Sequence, residues 1–373
     1  MRKRIIINTA NLRKGGALQV ALSFVQEATK QTAFDFCIIL GRASQTILSP
    51  KDFESFSHLS FRVTDIHPSD SMLAVFYFRK ALSQIEKAFQ PDAVMTVFGP
   101  CYWTPKACHI MGFGNGYLLY EDSYFFKIWK GWHHWKYKIK KAYHRYLLRR
   151  EADFYWTETE ETRQRLATFI HKPLSCMVVT DNNCSNLFRE NDYRQFPNLK
   201  KKQGIRIFYP CDYYLHKGFE HIPKVLEGLE KQGIAVELLV TIDSKEYDRL
   251  FSGYKNVINL GSVEPKYFPD LYRQSDIVFM PSLLEIFSAV YPEAMYMQKP
   301  IVTTDLPFAR NICQEAALYF EPENVQEAVA RIREIILEPE LAASLIGKGS
   351  QRVKDFDLPE KRFSKILSRV LAK

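Results

Sequence analysis

The sequence predicts an α/β protein made of two doubly wound, Rossmann-like domains, each a parallel sheet with helices on both faces, facing a cleft. Three observations predict it. Short β-rich apolar runs alternate with helix-period stretches from end to end, the pattern of parallel strands joined by crossover helices. A polar, lysine-bearing stretch, RENDYRQFPNLKKKQG over 189–204, interrupts the alternation near the middle. At 373 residues the chain is too long for one ordinary domain and comfortable for two.

The elements follow in order. Arg4 to Asn8 reads as a first strand, then the loop NLRKGGA, then Leu18, Leu22, Val25 and Ala28 at helical spacing. Phe34 to Leu40 is a second strand. Leu73, Phe76, Leu82, Ile85 and Phe89 mark a helix that leads to a strand at Ala93 to Phe98. A strand at Phe154, a helix over Glu161 to Phe169 and a strand near Val178 complete the first half. Beyond the polar stretch the pattern restarts with a strand at Ile205 to Tyr209. A helix through Phe219, Ile222, Leu226 and Leu229 and strands at Ala235 to Val240, Val257 to Leu260 and Ile277 to Met280 follow. Asn324-Val-Gln-Glu327 reads as a capping arrangement opening a helix through Val325, Ala328, Val329, Ile332, Ile335 and Ile336. The expected domains are 1–190 and 205–355, with a linker over 191–204 and a terminal helix within 356–373 that packs back on the first domain.

Composition narrows the function classes. Hydrophobic residues at 46% and charged residues at 25% are those of a soluble globular protein. The start, MRKRIIINTA, has the charge of a signal peptide, but its apolar run ends after about four residues, short of an h-region. No stretch approaches the ~18 apolar residues of a membrane span. The expected location is the cytoplasm. The seven cysteines are dispersed with no CxxC pair, as free thiols in a reducing compartment are, and no Cys/His cluster has the spacing of a metal site. No metal or other cofactor is expected.

Ser275 to Asp305, SDIVFMPSLLEIFSAVYPEAMYMQKPIVTTD, carries the strongest chemistry. It reads as a strand, a loop with Glu285, a helix with Glu293, and a second strand at Pro300 to Thr303. Ligands of open α/β sheets bind beyond the carboxyl ends of strands, where this loop lies. Backbone N–H groups of Phe287, Ser288 and Ala289 are placed to meet a phosphate. Two carboxylates eight residues apart suit two hydroxyl-bearing groups of one ligand, such as a ribose and a sugar ring; the alternative is a pair of solvated surface acids. Upstream, Lys217 precedes a helix N-terminus, where it is suited to neutralise a diphosphate. Gly15 and Gly16 follow the first strand, His109 precedes glycines in what reads as a strand-end loop, and Asn115 and Glu121 lie beyond it. Taken alone, a tight turn accounts for the glycines and a structural role for the histidine.

The run E-I-F-S-A-V-Y-P-E-A-M-Y-M-Q-K-P-I-V resembles the E-x7-E signature of glycosyltransferase family 4, retaining enzymes of GT-B fold. That family reads roughly E-G-F-G-x-x-x-x-E-A-M-A-x-G-K-P-V-V. Tyr209-Pro-Cys-Asp-Tyr-Tyr-Leu-His-Lys217-Gly218 is similar to its Y-V-G-R-x-x-x-x-K-G. The resemblance implies transfer from a nucleoside-diphosphate sugar to a glycan or lipid-linked glycan acceptor, in lipopolysaccharide or other cell-surface polysaccharide assembly. It further implies front-face attack with the leaving diphosphate assisting deprotonation. Glu293 would bind the ribose, Glu285 the transferred sugar, Lys217 the diphosphate, and Phe287 to Ala289 would lie beside the donor. Gly15, Gly16 and His109 would line the cleft, and Asn115 and Glu121 would meet the acceptor. Three positions depart from the family: Ile286 and Ser288 replace glycines, and Asp212 stands at the partnering arginine. A nucleotide-sugar epimerase of the same fold and a catalytically silent binding subunit stay open as alternatives.

The formal charge of +9 has one main source. From Asp122 to Glu151 there is no acidic residue between and nine Lys or Arg. Trp132, Trp135, Ile139, Tyr143, Tyr146 and Leu147 fall on one helical face, with Lys136, Lys138, Lys140, Lys141, Arg145 and Arg149 over much of the rest. The segment suits the anionic inner face of a cell membrane, with the protein held there peripherally, or a helix packing its aromatic face on the core; nucleic acid ranks last.

Overall fold

Strands buried on both faces need apolar side chains on both, which is why continuous Ile, Val, Leu and Phe runs dominate this sequence. In the computed structural model, which describes residues 2–13, 15–129, 133–189, 194–197, 199 and 204–372, these runs form two parallel sheets. The first contains β1 (Lys3–Asn8), β2 (Phe34–Leu40), β3 (Leu59–Val63), β4 (Ala93–Thr96), β5 (Cys108–Gly112), β6 (Phe154–Thr157) and β7 (Met177–Val179). Its order is β3-β2-β1-β4-β5-β6-β7. The second contains β8 (Ile205–Tyr209), β9 (Val236–Val240), β10 (Val257–Asn259), β11 (Ile277–Met280), β12 (Ile301–Thr304) and β13 (Ala317–Phe320), in the order β10-β9-β8-β11-β12-β13. Every pairing is parallel. Two doubly wound parallel sheets, as the sequence predicts, are therefore observed.

Each order reverses once, between β1 and β4 in the first sheet and between β8 and β11 in the second. Crossovers run in opposite directions from such a point, so the loops there splay apart and leave a crevice above the strand ends. In the second sheet β8 and β11 are in register through Ile207–Ile277 and Phe208–Val278, which sets the loops after Tyr209 and Met280 side by side.

The chain divides into two units. Unit 1 is 2–119, 133–182 and 357–372; unit 2 is 120–129 and 183–356, within the described residues. Most of the expected linker falls outside those residues. In unit 1, Phe24 of the Gly16–Thr29 helix packs between Trp156 of β6 and Phe363 of the Pro359–Leu371 helix, with ring centroids 5.8 and 5.7 Å away. The terminal helix is held further by the buried Arg362, which donates to Ser23 Oγ at 2.7 Å. In unit 2, Leu238, Leu239, Val278, Phe279, Ile301 and Val302 form the middle of the core. Asn324 caps the Val325–Leu337 helix by accepting from Glu327 N at 3.1 Å, while the Glu327 carboxylate accepts from Glu321 N instead of closing a reciprocal box.

Candidate functional site

Lys217 and Glu285 lie 68 positions apart in sequence and meet at the switch point of the second sheet, with Lys217 Nζ donating to Glu285 Oε1 at 2.5 Å. The local chemistry explains the meeting. After β8 the chain makes a short 3₁₀ turn over Leu215–Lys217 and reverses at Gly218, whose φ of 69° is left-handed. A Cβ at that position would sit 2.1 Å from the Pro281 carbonyl oxygen, so only glycine lets this loop approach the one after β11. The two loops are then stitched together. Leu283 N donates to His216 O at 2.7 Å, and the Tyr209 hydroxyl donates to Lys217 O at 2.7 Å and lies 3.1 Å from Ser282 Oγ. From the other side, Thr304 Oγ1 donates to Ser282 O at 2.6 Å, and Tyr291 and Thr303 share a hydroxyl bond at 2.8 Å.

The ion pair is largely withdrawn from water, with the side chains of Lys217 and Glu285 12% and 10% exposed. Burial would push the Lys217 ammonium down, yet the Glu285 carboxylate beside it, aided by Cys211, holds it above its ordinary value. A protonated lysine has three N–H donors, and one is used here, leaving two for a ligand. The imidazole next in sequence offers no second cation: burial, with Lys217 adding repulsion, pushes His216 down to about 3. Its ring is packed by Tyr214 and Phe125, at centroid distances of 5.6 and 6.2 Å. Asp212, where the resemblance expects an arginine, is partly buried and near enough to raise the Cys211 thiol.

Glu293 lies in the Val290–Tyr296 helix, where Pro292 occupies the first turn and so removes no needed N–H. Burial pushes its carboxyl up to about 7, against a hydrogen bond from the Tyr272 hydroxyl at 2.8 Å. Tyr272 in turn feels Cys211, and Cys211 feels Lys217 and Glu285. Cys211, in the loop after β8, is thus within electrostatic reach both of Tyr272, which holds Glu293, and of the ion pair. Phe287, Ser288 and Ala289 form the loop between the two glutamates; Ser288 is buried, and the Phe287 ring packs edge-on against Phe356 at 5.5 Å. Ile286 is buried as well. Sequence reasoning missed Tyr209, Cys211, Tyr272 and Ser282, none of which has a spacing that marks its partner.

The residues expected from the first half lie elsewhere in the chain's order. Gly15 has φ 76° and immediately precedes the Gly16–Thr29 helix at the switch point of the first sheet. A Cβ on Gly16 would meet nothing within 4 Å. His109 corrects the expectation of a strand-end loop. It is the second residue of β5 and is buried, with Nδ1 2.6 Å from Glu151 O and Nε2 2.8 Å from Thr96 Oγ1. Burial pushes its imidazole down to about 4, so it is neutral at neutral pH, with both nitrogens engaged inside unit 1. Asn115 follows the end of β5, and its carbonyl accepts from Leu118 N at 3.2 Å. Glu121 is exposed in the segment 120–129 of unit 2, which is tied down by Tyr124 donating to Glu323 at 2.7 Å.

In the His133–Glu151 helix the buried side chains include Tyr137, His144, Leu147 and Leu148. Leu147 therefore faces inward, whereas Trp135, Ile139, Tyr143 and Tyr146, expected to share its face, are exposed. Lys136, Lys140 and Arg149 are exposed too, and Trp132 lies outside the described residues. Among the described residues no helix is long and apolar enough to cross a membrane.

Comparison with known proteins places this geometry. Residues 190–352 match the family described as "Glycosyl transferases group 1". No curated protein matches the sequence. Solved structures match over nearly the whole chain. Sucrose-phosphate synthase from Thermosynechococcus elongatus is 13% identical, with a TM-score of 0.74 and 100% of each chain covered. WaaG, a glycosyltransferase involved in lipopolysaccharide biosynthesis, is 13% identical, with a TM-score of 0.73 over 97% of this chain and 99% of its own. Anabaena Alr3699/HepE, in complex with UDP and glucose, is 15% identical, with a TM-score of 0.70 over 98% and 100%. Residues 190–352 are thus similar to the group 1 glycosyltransferases, and the chain has the GT-B fold of these solved structures.

Proposed function

We propose that the protein is a retaining glycosyltransferase that moves a hexose or related sugar from a nucleoside-diphosphate donor to a glycan or lipid-linked glycan. The observation that carries this reading is the Lys217–Glu285 contact, a cation and an acid side by side at the switch point of the second sheet. A diphosphate needs positive charge held in place before it leaves, and a sugar ring needs an acceptor for its hydroxyls. In this reading the acceptor's hydroxyl oxygen attacks the anomeric carbon on the face from which the diphosphate departs. The anomeric C–O bond breaks, and the hydroxyl proton passes to the leaving phosphate oxygen. Lys217 and the amides of Phe287, Ser288 and Ala289 stabilise the charge that develops there. Glu285 holds the sugar hydroxyls and Glu293 the ribose hydroxyls. No step calls for a resident metal.

Support comes also from the shared fold of HepE, which holds UDP and glucose. Asn115, Glu121, Gly15 and Gly16 are the proposed acceptor-side and phosphate-side contacts. Assembly of lipopolysaccharide or another cell-surface polysaccharide, by a cytoplasmic protein held peripherally at the membrane's inner face, is the setting that fits a lipid-linked acceptor.

Thermal unfolding in the presence of UDP-, GDP- and ADP-sugars tests the reading. One class of donor should raise the transition temperature, and Glu293→Ala should lose that response. No stabilisation by any donor, or full stabilisation of the variant, overturns the assignment. Isomerisation of the donor in the absence of acceptor would point to the epimerase instead.

A further inference from the structure

We infer that the Met72–Phe89 and His133–Glu151 helices together form a docking face for an anionic lipid bilayer. This deepens the peripheral-membrane part of the reading above and does not depend on the sugar-transfer part.

The face begins with an inversion. The His133–Glu151 helix turns Tyr137, His144 and Leu148 inward and leaves the opposite stripe, Trp135, Ile139, Tyr143 and Tyr146, in the open. Trp135 is 69% exposed and Ile139 64%. Core packing therefore does not account for the aromatic stripe. The first turns of the Met72–Phe89 helix do the same thing: Ala74 and Phe78 go inward, while Met72, at 91% exposed, Leu73, Phe76 and Tyr77 go outward. A soluble protein gains nothing from large apolar side chains grouped in water.

The two stripes are physically joined. Arg79, one turn beyond Phe76, donates from Nε to the Tyr102 carbonyl at 2.6 Å. The Tyr102 ring lies 6.4 Å from that of Tyr143, in the middle of the other stripe, and its hydroxyl is 3.1 Å from His144 Nε2. Tyr102 thus bridges the helices beside both exposed stripes.

Charge selects the occupant. Lys136, Lys138, Lys140, Arg149 and Arg150 are exposed on the flanks of the aromatic stripe, and Lys80 is exposed on the other helix. Lys141 and Arg145 are the exceptions, turned onto the Phe169 ring at 5.3 and 5.8 Å. No acidic residue occurs from Ser71 to Gln84 or between Asp122 and Glu151. A second copy of the chain would set these cations against their equals, which is unfavourable. Nucleic acid would suit the cations and rings, yet it has no use for Met72, Leu73 and Ile139. An anionic bilayer takes all three: aliphatic side chains among the acyl chains, Trp and Tyr at the headgroup level, and lysines over the anionic lipid.

The test is co-sedimentation of the full chain with vesicles of phosphatidylcholine alone and of phosphatidylcholine with phosphatidylglycerol. Binding should require the anionic lipid and weaken with salt. Lys136→Gln, Lys138→Gln and Lys140→Gln together should weaken it by about a hundredfold, at roughly fivefold per basic residue. Trp135→Ser with Ile139→Ser, and separately Leu73→Ser with Phe76→Ser, should each weaken it at least tenfold without lowering the transition temperature. Equal binding to neutral vesicles overturns the proposal, as does full binding by the Leu73/Phe76 variant. Binding of a single-stranded oligonucleotide without vesicle binding overturns it in favour of nucleic acid. A dimer in solution that the Trp135/Ile139 variant dissociates, with no vesicle binding, overturns it in favour of self-association.

Discussion

Breaking one side of the Lys217–Glu285 pair should destabilise unit 2 far more than removing both sides. The bond is 2.5 Å long, and about a tenth of each side chain is exposed, 12% and 10%. Removing one partner of a buried ion pair leaves a charge with no counter-ion and costs about 3–5 kcal/mol, whereas replacing both with neutral side chains of similar size is close to neutral. Partial contact with water trims the single-variant cost to about 2–4 kcal/mol for Lys217→Met or for Glu285→Gln. The double variant should return to within about 1 kcal/mol of the parent, a coupling of at least about 3 kcal/mol. Because the chain has two units, a global unfolding curve would mix them. Amide hydrogen exchange of β8 and β11 reads the second unit alone. The double variant, though stable, should no longer gain protection from any nucleotide sugar, because the cation for the diphosphate is gone. Additive single effects with no recovery in the double would refute the buried-pair account. A stable double variant that binds donor normally would refute the donor role.

Four further outcomes are expected. Between its ordinary value of 4.5 and about 7 the folded protein holds a proton on Glu293 that the unfolded chain has released, so stability falls as pH rises through that window. Glu293→Gln should remove this slope and be more stable than the parent by up to ~3 kcal/mol at pH 8, measured by denaturant unfolding across pH, and should lose donor binding. His109 is depressed from 6.5 to about 4, so its contribution is present above pH 6.5 and lost as pH falls toward 4. His109→Gln should flatten that part of the profile and cost about 1–3 kcal/mol while the folded fraction keeps its turnover, and a hundredfold fall in turnover without destabilisation would restore a catalytic role. Gly218→Ala must move the Pro281 carbonyl from 2.1 Å and adopt a strained φ, so a loss of about 2–4 kcal/mol and of donor binding is expected by unfolding and calorimetry. Asp212→Arg replaces an acid in the loop between β8 and Lys217 with a cation and should tighten UDP, GDP or ADP at least about tenfold by calorimetry; an unchanged affinity for all three would place Asp212 away from the diphosphate.

The sheets were legible because parallel strands are buried on both faces and so write themselves as unbroken apolar runs. The bounds of β2, β8 and β11 coincide with those runs. Where burial is partial the writing fails: β3, LSFRV, has no fully buried residue and carried no strand signal. The candidate site was legible in its charged members only. Lys217, Glu285 and Glu293 belong to motifs that resemble a family, but the residues that hold them in place, such as Tyr209 on Ser282, Gly218 against Pro281 and Tyr272 on Glu293, are 63 to 73 or 21 positions from their partners. No period or spacing encodes such distances; they follow from strand order.

The His133–Glu151 helix shows a different limit. Periodicity sorts side chains into stripes, but it does not say which stripe goes inward, and the sequence leaves the aromatic stripe open between the core and a membrane surface. The structure buries the other one, where the Tyr137 hydroxyl donates to Tyr117 O and His144 Nε2 meets the Tyr102 hydroxyl, while His144 Nδ1 is buried without a partner among the described residues. Those bonds satisfy groups that burial would otherwise leave unpaired. A tryptophan and an isoleucine turned outward have no such partners and are left facing water, with lysines on either side. Had the core needed only apolar area, the helix would have rolled the other way. That it did not is the physical reason for seeking the partner of the exposed stripe outside the protein.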